Sequence, residues 1–288
     1  MEFNEFIELI EKHSPELFDE NGDAYFGSKS ALRDSNGIAL VGLNPGGIGL
    51  PSIRKNLDLF LSDTSKELYT GFLDQCWHEP EYSNYKTCTL CDLSIKEHGY
   101  VRLGRHQKMI ARIAEFCEFS LREAISINAI WIQTKDSSDL KAQLKKNNQS
   151  KVSEFFRNKF FPIFEELFFR CNIRFVICLG NGVSDSSFSL FKKALNVNNQ
   201  DVINVSADYR DGRHFIAHVM GVKTLFFGIP HPSLHTLSDI GMEKLRSLKK
   251  DWVPKEVLIN SLSENPHPQE SKTDGLHLAE NTDKSAIP

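Results

Sequence analysis

The 288-residue chain has no long apolar run. Its longest, such as ALVGL (Ala39–Leu43) and RFVICLG (Arg174–Gly180), fall far short of the ~20 residues that a membrane span needs. The opening segment, MEFNEFIELIEKHSPE, lacks the features of a secretory signal or a basic transit peptide; it is acidic and amphipathic, which points to a cytoplasmic address. Strong charge of either sign is also missing. The net charge is −4, and from Glu264 onward five acidic residues face two lysines, so the rest of the chain is close to neutral. Global charge therefore neither supports nor excludes a nucleic-acid partner. Six cysteines (Cys76, Cys88, Cys91, Cys117, Cys171 and Cys178) in a chain of this length without a secretory signal read as reduced thiols rather than a disulfide frame. Internal repeats are lacking too.

What is present is an ordinary globular composition, 40% hydrophobic and 25% charged, in a chain long enough for one or two domains. Helical spacing marks 3–12, the start of a helix at 53–61, and 105–119, 152–169, 186–195 and 238–250. Wholly apolar or β-like runs mark four strands, at 38–43, 124–133, 173–179 and 222–228. Strands alternating with helices predict an α/β fold: a three-layer αβα sandwich around a central, mostly parallel, four-stranded sheet. Residues 1–262 form one domain in this reading, with an irregular insertion rich in cysteine and aromatics at 62–100. Residues 263–288 are a polar tail too poor in apolar side chains to pack.

In open α/β sheets the ligand sits beyond the carboxyl ends of the strands. Four loops should meet there: GLNPGG after the first strand, IQTKD after the second, GNG after the third and IPHPSLHT after the fourth. GLNPGG fits no phosphate-binding pattern. A P-loop would require Gly-Lys-Ser/Thr, but Ile48 follows Gly47, and a dinucleotide fingerprint would need glycine where Ser52 stands. A plain tight turn is its bland alternative. His231-Pro232-Ser233 is weak alone, since His-Pro turns are common in loops. The pairing of the two motifs, one at the end of the first strand and one at the end of the last, with Asn128 in the strand between, is the stronger signal.

GLNPG followed by HPS resembles the two active-site motifs of the uracil-DNA glycosylase superfamily, nearest the single-strand-selective monofunctional uracil glycosylases. The likeness spans residues 38–248, is specific at the motifs, and departs after HPS, where this chain reads LHT. The resemblance implies a monofunctional glycosylase that flips uracil or a modified pyrimidine out of DNA, in base-excision repair or in defence against phage DNA with modified bases. It implies that His231 donates a hydrogen bond to the base as negative charge grows there, and that Asn44 holds the attacking water. Gly42, Leu43, Pro45, Gly46, Gly47, Asn128, Pro232 and Ser233 would line the substrate, with Asn128 on the base edge and Ser233 near a phosphate. Leu234 would fill the vacated stack. The expected partner is DNA, the expected state a monomer, and no membrane or cofactor is called for. Cys76-x-His78 and Cys88-x-x-Cys91 are spaced as a tetrahedral zinc site could be, but a single Cys-x-x-Cys does not establish one. Two alternatives stay open: a catalytically silent nucleic-acid-binding member, and a nucleotide-handling α/β enzyme. The lysine-rich segments, including Lys135, Lys141, Lys145, Lys146, Lys151, Lys244, Arg246 and Lys250, could track a DNA backbone or be plain solvated faces.

Overall fold

In the computed structural model, the residues described are 1–27, 29–43, 49–62, 105–121, 123–134, 137–146, 151–182, 184–232 and 234–253. All of them fall in one compact unit, Met1–Lys255. The 62–100 insertion beyond Ser62 and the tail lie outside the described residues, as do Cys76, His78, Cys88 and Cys91.

Among the described residues the sheet has six strands, not the four expected from sequence. Four are parallel and correspond to the apolar runs: β1 (Ile38–Gly42), β2 (Ile125–Asn128), β3 (Phe175–Leu179) and β6 (Val222–Ile229). The other two are β4 (Ile203–Asn204) and β5 (Arg213–Val219), and the spatial order is β2-β1-β3-β6-β5-β4. β5 runs antiparallel to β6, and β4 antiparallel to β5. The extra pair was hidden because β5 is only half buried. Its turn to β6 is Met220-Gly221, both at positive φ, the sign that a two-residue hairpin loop of type I′ requires. Methionine is an uncommon choice there, so the usual Asn-Gly signal is absent.

Strand β2 is shorter than the run 124–133. After Asn128 the chain folds over the end of β1, with the Ala129 and Ile130 amides donating to the carbonyls of Gly42 and Leu43.

Alternation along the strands divides the core in two. Ala39, Val41, Ile125, Ile127, Val176, Cys178 and Phe226 face one side, where α1 (Phe3–His13), α2 (Lys29–Arg33) and α3 (Ile53–Ser62) pack. Ile38, Leu40, Phe175, Ile177, Leu225, Phe227 and Ile229 face the other, where α4 (Arg105–Phe116) packs. A polar helix not expected from sequence, α5 (Ser137–Lys146), follows β2. The expected helix at 152–169 is three pieces: α6 (Val152–Phe155), a π-helical turn (Phe156–Phe160) and α7 (Phe161–Arg170). Pro162 supplies no amide to an α-helical ladder, and that gives the irregular turn a local cause. These pieces and α8 (Ser187–Ala194) lie on the first face, and α9 (Asp239–Trp252) lies on the second.

The first layer is dense in phenylalanine. Phe156, Phe164 and Phe168 of the segment 152–170 meet Phe191 of α8 at ring-centroid distances of 5.2–5.8 Å, and Phe191 meets Phe226 of β6 at 5.2 Å. Such stacked, tilted and edge-on pairs add about 0.5–1.5 kcal/mol each beyond the area they bury.

A polar clasp holds α1 to α7. The Glu166 carboxylate accepts from Lys12 Nζ (2.8 Å), pairs with His13 Nε2 (2.9 Å), and accepts from the Arg170 guanidinium. The Lys12 bond first, then those of His13 and Arg170, hold its pKa down at about 2 against a modest opposing desolvation. Because the folded pKa lies below the unfolded one, this stability is present above the ordinary carboxylate range and disappears as pH falls from about 4.5 through about 2. Glu166→Gln should therefore cost about 2 kcal/mol at pH 7 and almost nothing at pH 2. Denaturant unfolding of both proteins at the two pH values measures the difference, and a pH-independent difference would refute the assignment.

Candidate active site

Parallel strands end together, so β1, β2, β3 and β6 deliver their following loops to one edge of the sheet. Of the residues expected there, Gly42, Leu43, Asn128, His231, Pro232 and Leu234 are described; Asn44, Pro45, Gly46, Gly47 and Ser233 lie outside the described residues.

Gly42 and Asn128 are register partners at the ends of β1 and β2. A Cβ on Gly42 would fall well inside van der Waals distance of Asn128 Oδ1, so the Asn128 side chain lies across the bare backbone of β1. Only glycine leaves that space. The Asn128 carbonyl accepts from the buried Trp131 indole (2.8 Å), which fixes the backbone. As a residue Asn128 is largely buried, 8% exposed. A carboxamide carries both a donor and an acceptor, so it can meet a partner that offers one of each.

On the last parallel strand, His231 follows β6 through Pro230, and its carbonyl accepts from the amides of Leu234 (2.9 Å) and His235 (3.0 Å), closing a tight turn. The imidazole is exposed by surface area, yet partial desolvation, then the nearby His235, push its pKa below the ordinary histidine value. Both effects favour the neutral imidazole. Pro232 is buried, and Leu234 is 64% exposed.

The turn is braced from below. Ser238 caps α9 by accepting from the Gly241 amide (3.1 Å), and its hydroxyl donates to the buried Asp211 carboxylate. Ser206 donates to the other oxygen of Asp211. The loop 205–212 is thereby tied to the start of α9, and its Tyr209 carbonyl accepts from Asn181 Nδ2 (2.8 Å) at the end of β3. Asn181 and His235 lie in loops expected at this edge but were assigned no role there, and Tyr209 and Asp211 lie in a loop that was not placed. The sequence cue for that loop is the alternation in RHFIAHV, which marks β5.

Four of the eight basic residues considered for a DNA backbone pair with carboxylates of the protein. Lys141 pairs with Asp185 (2.6 Å), Lys151 with Glu154 (3.0 Å), and Arg246 and Lys250 with Glu118. Lys135 lies outside the described residues. Among the described residues no cluster of His, Cys, Asp and Glu side chains is arranged to hold a metal, and no helix is long and apolar enough to cross a membrane. No protein-family model matches the chain, and no curated protein sequence does either.

The Gly42–Asn128 contact makes a specific demand. Gly42→Ala should destabilise by about 1–3 kcal/mol through overpacking. Adding Asn128→Ala should recover most of that loss, a coupling readable in a double-mutant cycle by denaturant unfolding. Additive costs would show that the two residues do not meet.

Proposed function

We propose that this edge of the sheet is the active site of a monofunctional DNA glycosylase of the uracil-DNA glycosylase type, hydrolysing the N-glycosidic bond of uracil or a modified pyrimidine. The enzyme acts as a cytoplasmic monomer, in base-excision repair or against phage DNA carrying modified bases. The observation that carries the reading is Asn128. Its largely buried carboxamide, at the carboxyl edge of the sheet, has a donor and an acceptor side by side to offer a ligand. The donor–acceptor pair of a pyrimidine edge is complementary to it, and the pair becomes reachable once the base leaves the stack.

The division of labour follows from the positions. Scission of the bond between C1′ and N1 sends the electron pair into the base and leaves positive charge on the sugar. Water adds hydroxide to C1′, and its proton ends on the released base. His231, neutral by its surroundings, donates a hydrogen bond to the base oxygen where negative charge collects, and so stabilises the leaving group without a proton transfer. Asn44, next in the chain after Leu43, holds the water. An amide is no strong base, so bond breaking runs ahead of attack. The assigned residues include no nucleophilic lysine, and the reaction stops at the abasic site.

His231→Ala and Asn44→Ala should each lower base release at least about a hundredfold, measured on single- and double-stranded oligonucleotides carrying uracil or modified pyrimidines, with alkaline cleavage of the abasic product. Full activity in both variants overturns the proposal. With His231 held below its ordinary pKa, the rate should also stay flat from pH 7 to pH 9. A steep rise across that interval would mean that another group titrates in the catalytic step.

A further inference from the structure

Beside the candidate site stands a feature that the glycosylase reading leaves unused: the loop 205–212 and the first residue of β5. Tyr209 is a large aromatic side chain, 56% exposed. Its ring meets His235 edge-on at 5.4 Å, and its hydroxyl lies 3.3 Å from His235 Nδ1. Its carbonyl is tied to Asn181, its turn is capped by the Asp208 side chain accepting from the Arg210 amide (2.9 Å), and Asp211 anchors the turn to Ser206 and Ser238. Leu234, 64% exposed, stands in the adjoining turn.

Four residues on, Arg213 pairs in register with Gly228 near the end of β6. Its guanidinium lies 5.0 Å from the Phe188 ring centre, and its Nε is enclosed without an acceptor. Unlike Arg246 or Lys141, it has no carboxylate partner among the described residues. Burial lowers its pKa, as expected for a cation with no counter-ion.

We propose that Tyr209 and Arg213 form a second contact for single-stranded DNA, Tyr209 stacking on an unpaired base and Arg213 meeting a backbone phosphate. An exposed ring is indifferent to base identity, because every base has a π face, and an unpaired cation supplies the complementary charge. β2 and β5 are four strands apart in the sheet, so a nucleotide at Asn128 and a phosphate at Arg213 lie about 19 Å apart. The second contact therefore engages the strand flanking the flipped nucleotide. In a duplex the flanking bases are stacked and paired, so the contact selects single strands. The role as a flanking contact rests on the glycosylase reading; the binding itself does not.

The test is fluorescence anisotropy with a labelled oligonucleotide containing no uracil or modified base, single-stranded and as a duplex. The wild type should prefer the single strand. Tyr209→Ala should weaken single-strand binding about tenfold, the order expected for one lost stack, while Tyr209→Phe retains it and thermal unfolding of both stays unchanged. Arg213→Ala should flatten the salt dependence by about 0.7 in the log–log slope, one phosphate's worth on a single strand. A Tyr209→Ala variant that binds the single strand as tightly as the wild type overturns the proposal, as does a wild type that prefers the duplex. The two ideas fail separately. Tyr209-dependent binding without any base release would sink the glycosylase and leave this contact standing. His231-dependent base release that is indifferent to Tyr209 would do the reverse.

Discussion

Burial of the four parallel strands on both faces is the constraint from which the rest of the architecture follows. No residue of β1 or β3 reaches solvent, and their side chains alternate between two separate cores. Two helical layers must therefore cover the sheet, and the phenylalanine-rich segment 152–170 with α8 builds one of them. Neither layer can cover the ends of the strands. Because the four run the same way, their carboxyl ends share one edge, and Gly42, Asn128, Asn181 and His231 are the residues that reach it. The position of the site is a consequence of parallel pairing before it is a matter of any side chain.

Holding that edge in shape takes polar work. Asp211 is a buried carboxylate, costly unless its oxygens are satisfied, and Ser206 and Ser238 satisfy both. Each bond contributes only about 0.5–1.5 kcal/mol net, but an orphaned carboxylate would cost more than the bonds contribute. The carboxylate thus forces the loop 205–212 and the start of α9 to keep company. The turn carrying His231 sits between α9 and β6, and it inherits that fixity. Preorganisation of this kind matters most for a group whose role is to present a hydrogen bond without moving.

How much of this was legible in the sequence follows from how the elements are buried. Strands hidden on both faces write themselves as unbroken apolar runs, and all four were visible. β5 is exposed at Ile216 and His218, so its signal is a weak alternation, and its turn uses Met220 in place of a residue that announces positive φ. α5 was missed because it is polar, with just Leu140 and Leu144 reaching the core. At the site, Asn128 and His231 stand out in sequence because they end apolar strands. Tyr209 does not, since an exposed aromatic in an unassigned loop means nothing until the loop is placed against His235.

Under the proposed function, the charge distribution bears on the kind of nucleic acid that the surface would hold. Duplex binding draws much of its strength from phosphate contacts, each contributing through released counter-ions. Here the residues before the acidic tail are close to neutral, and Lys141, Lys151, Arg246 and Lys250 are engaged by carboxylates. A diffuse basic face is therefore a poor source of affinity. Under the proposal the edge offers a largely buried amide, an imidazole and an exposed ring that act on a base, and one arginine for a phosphate. Bases present those faces where they are already unpaired. Taking a nucleotide from a duplex costs a few kcal/mol in lost stacking and pairing, and a surface with little phosphate-binding energy to offset that cost is matched to strands that have lost it beforehand.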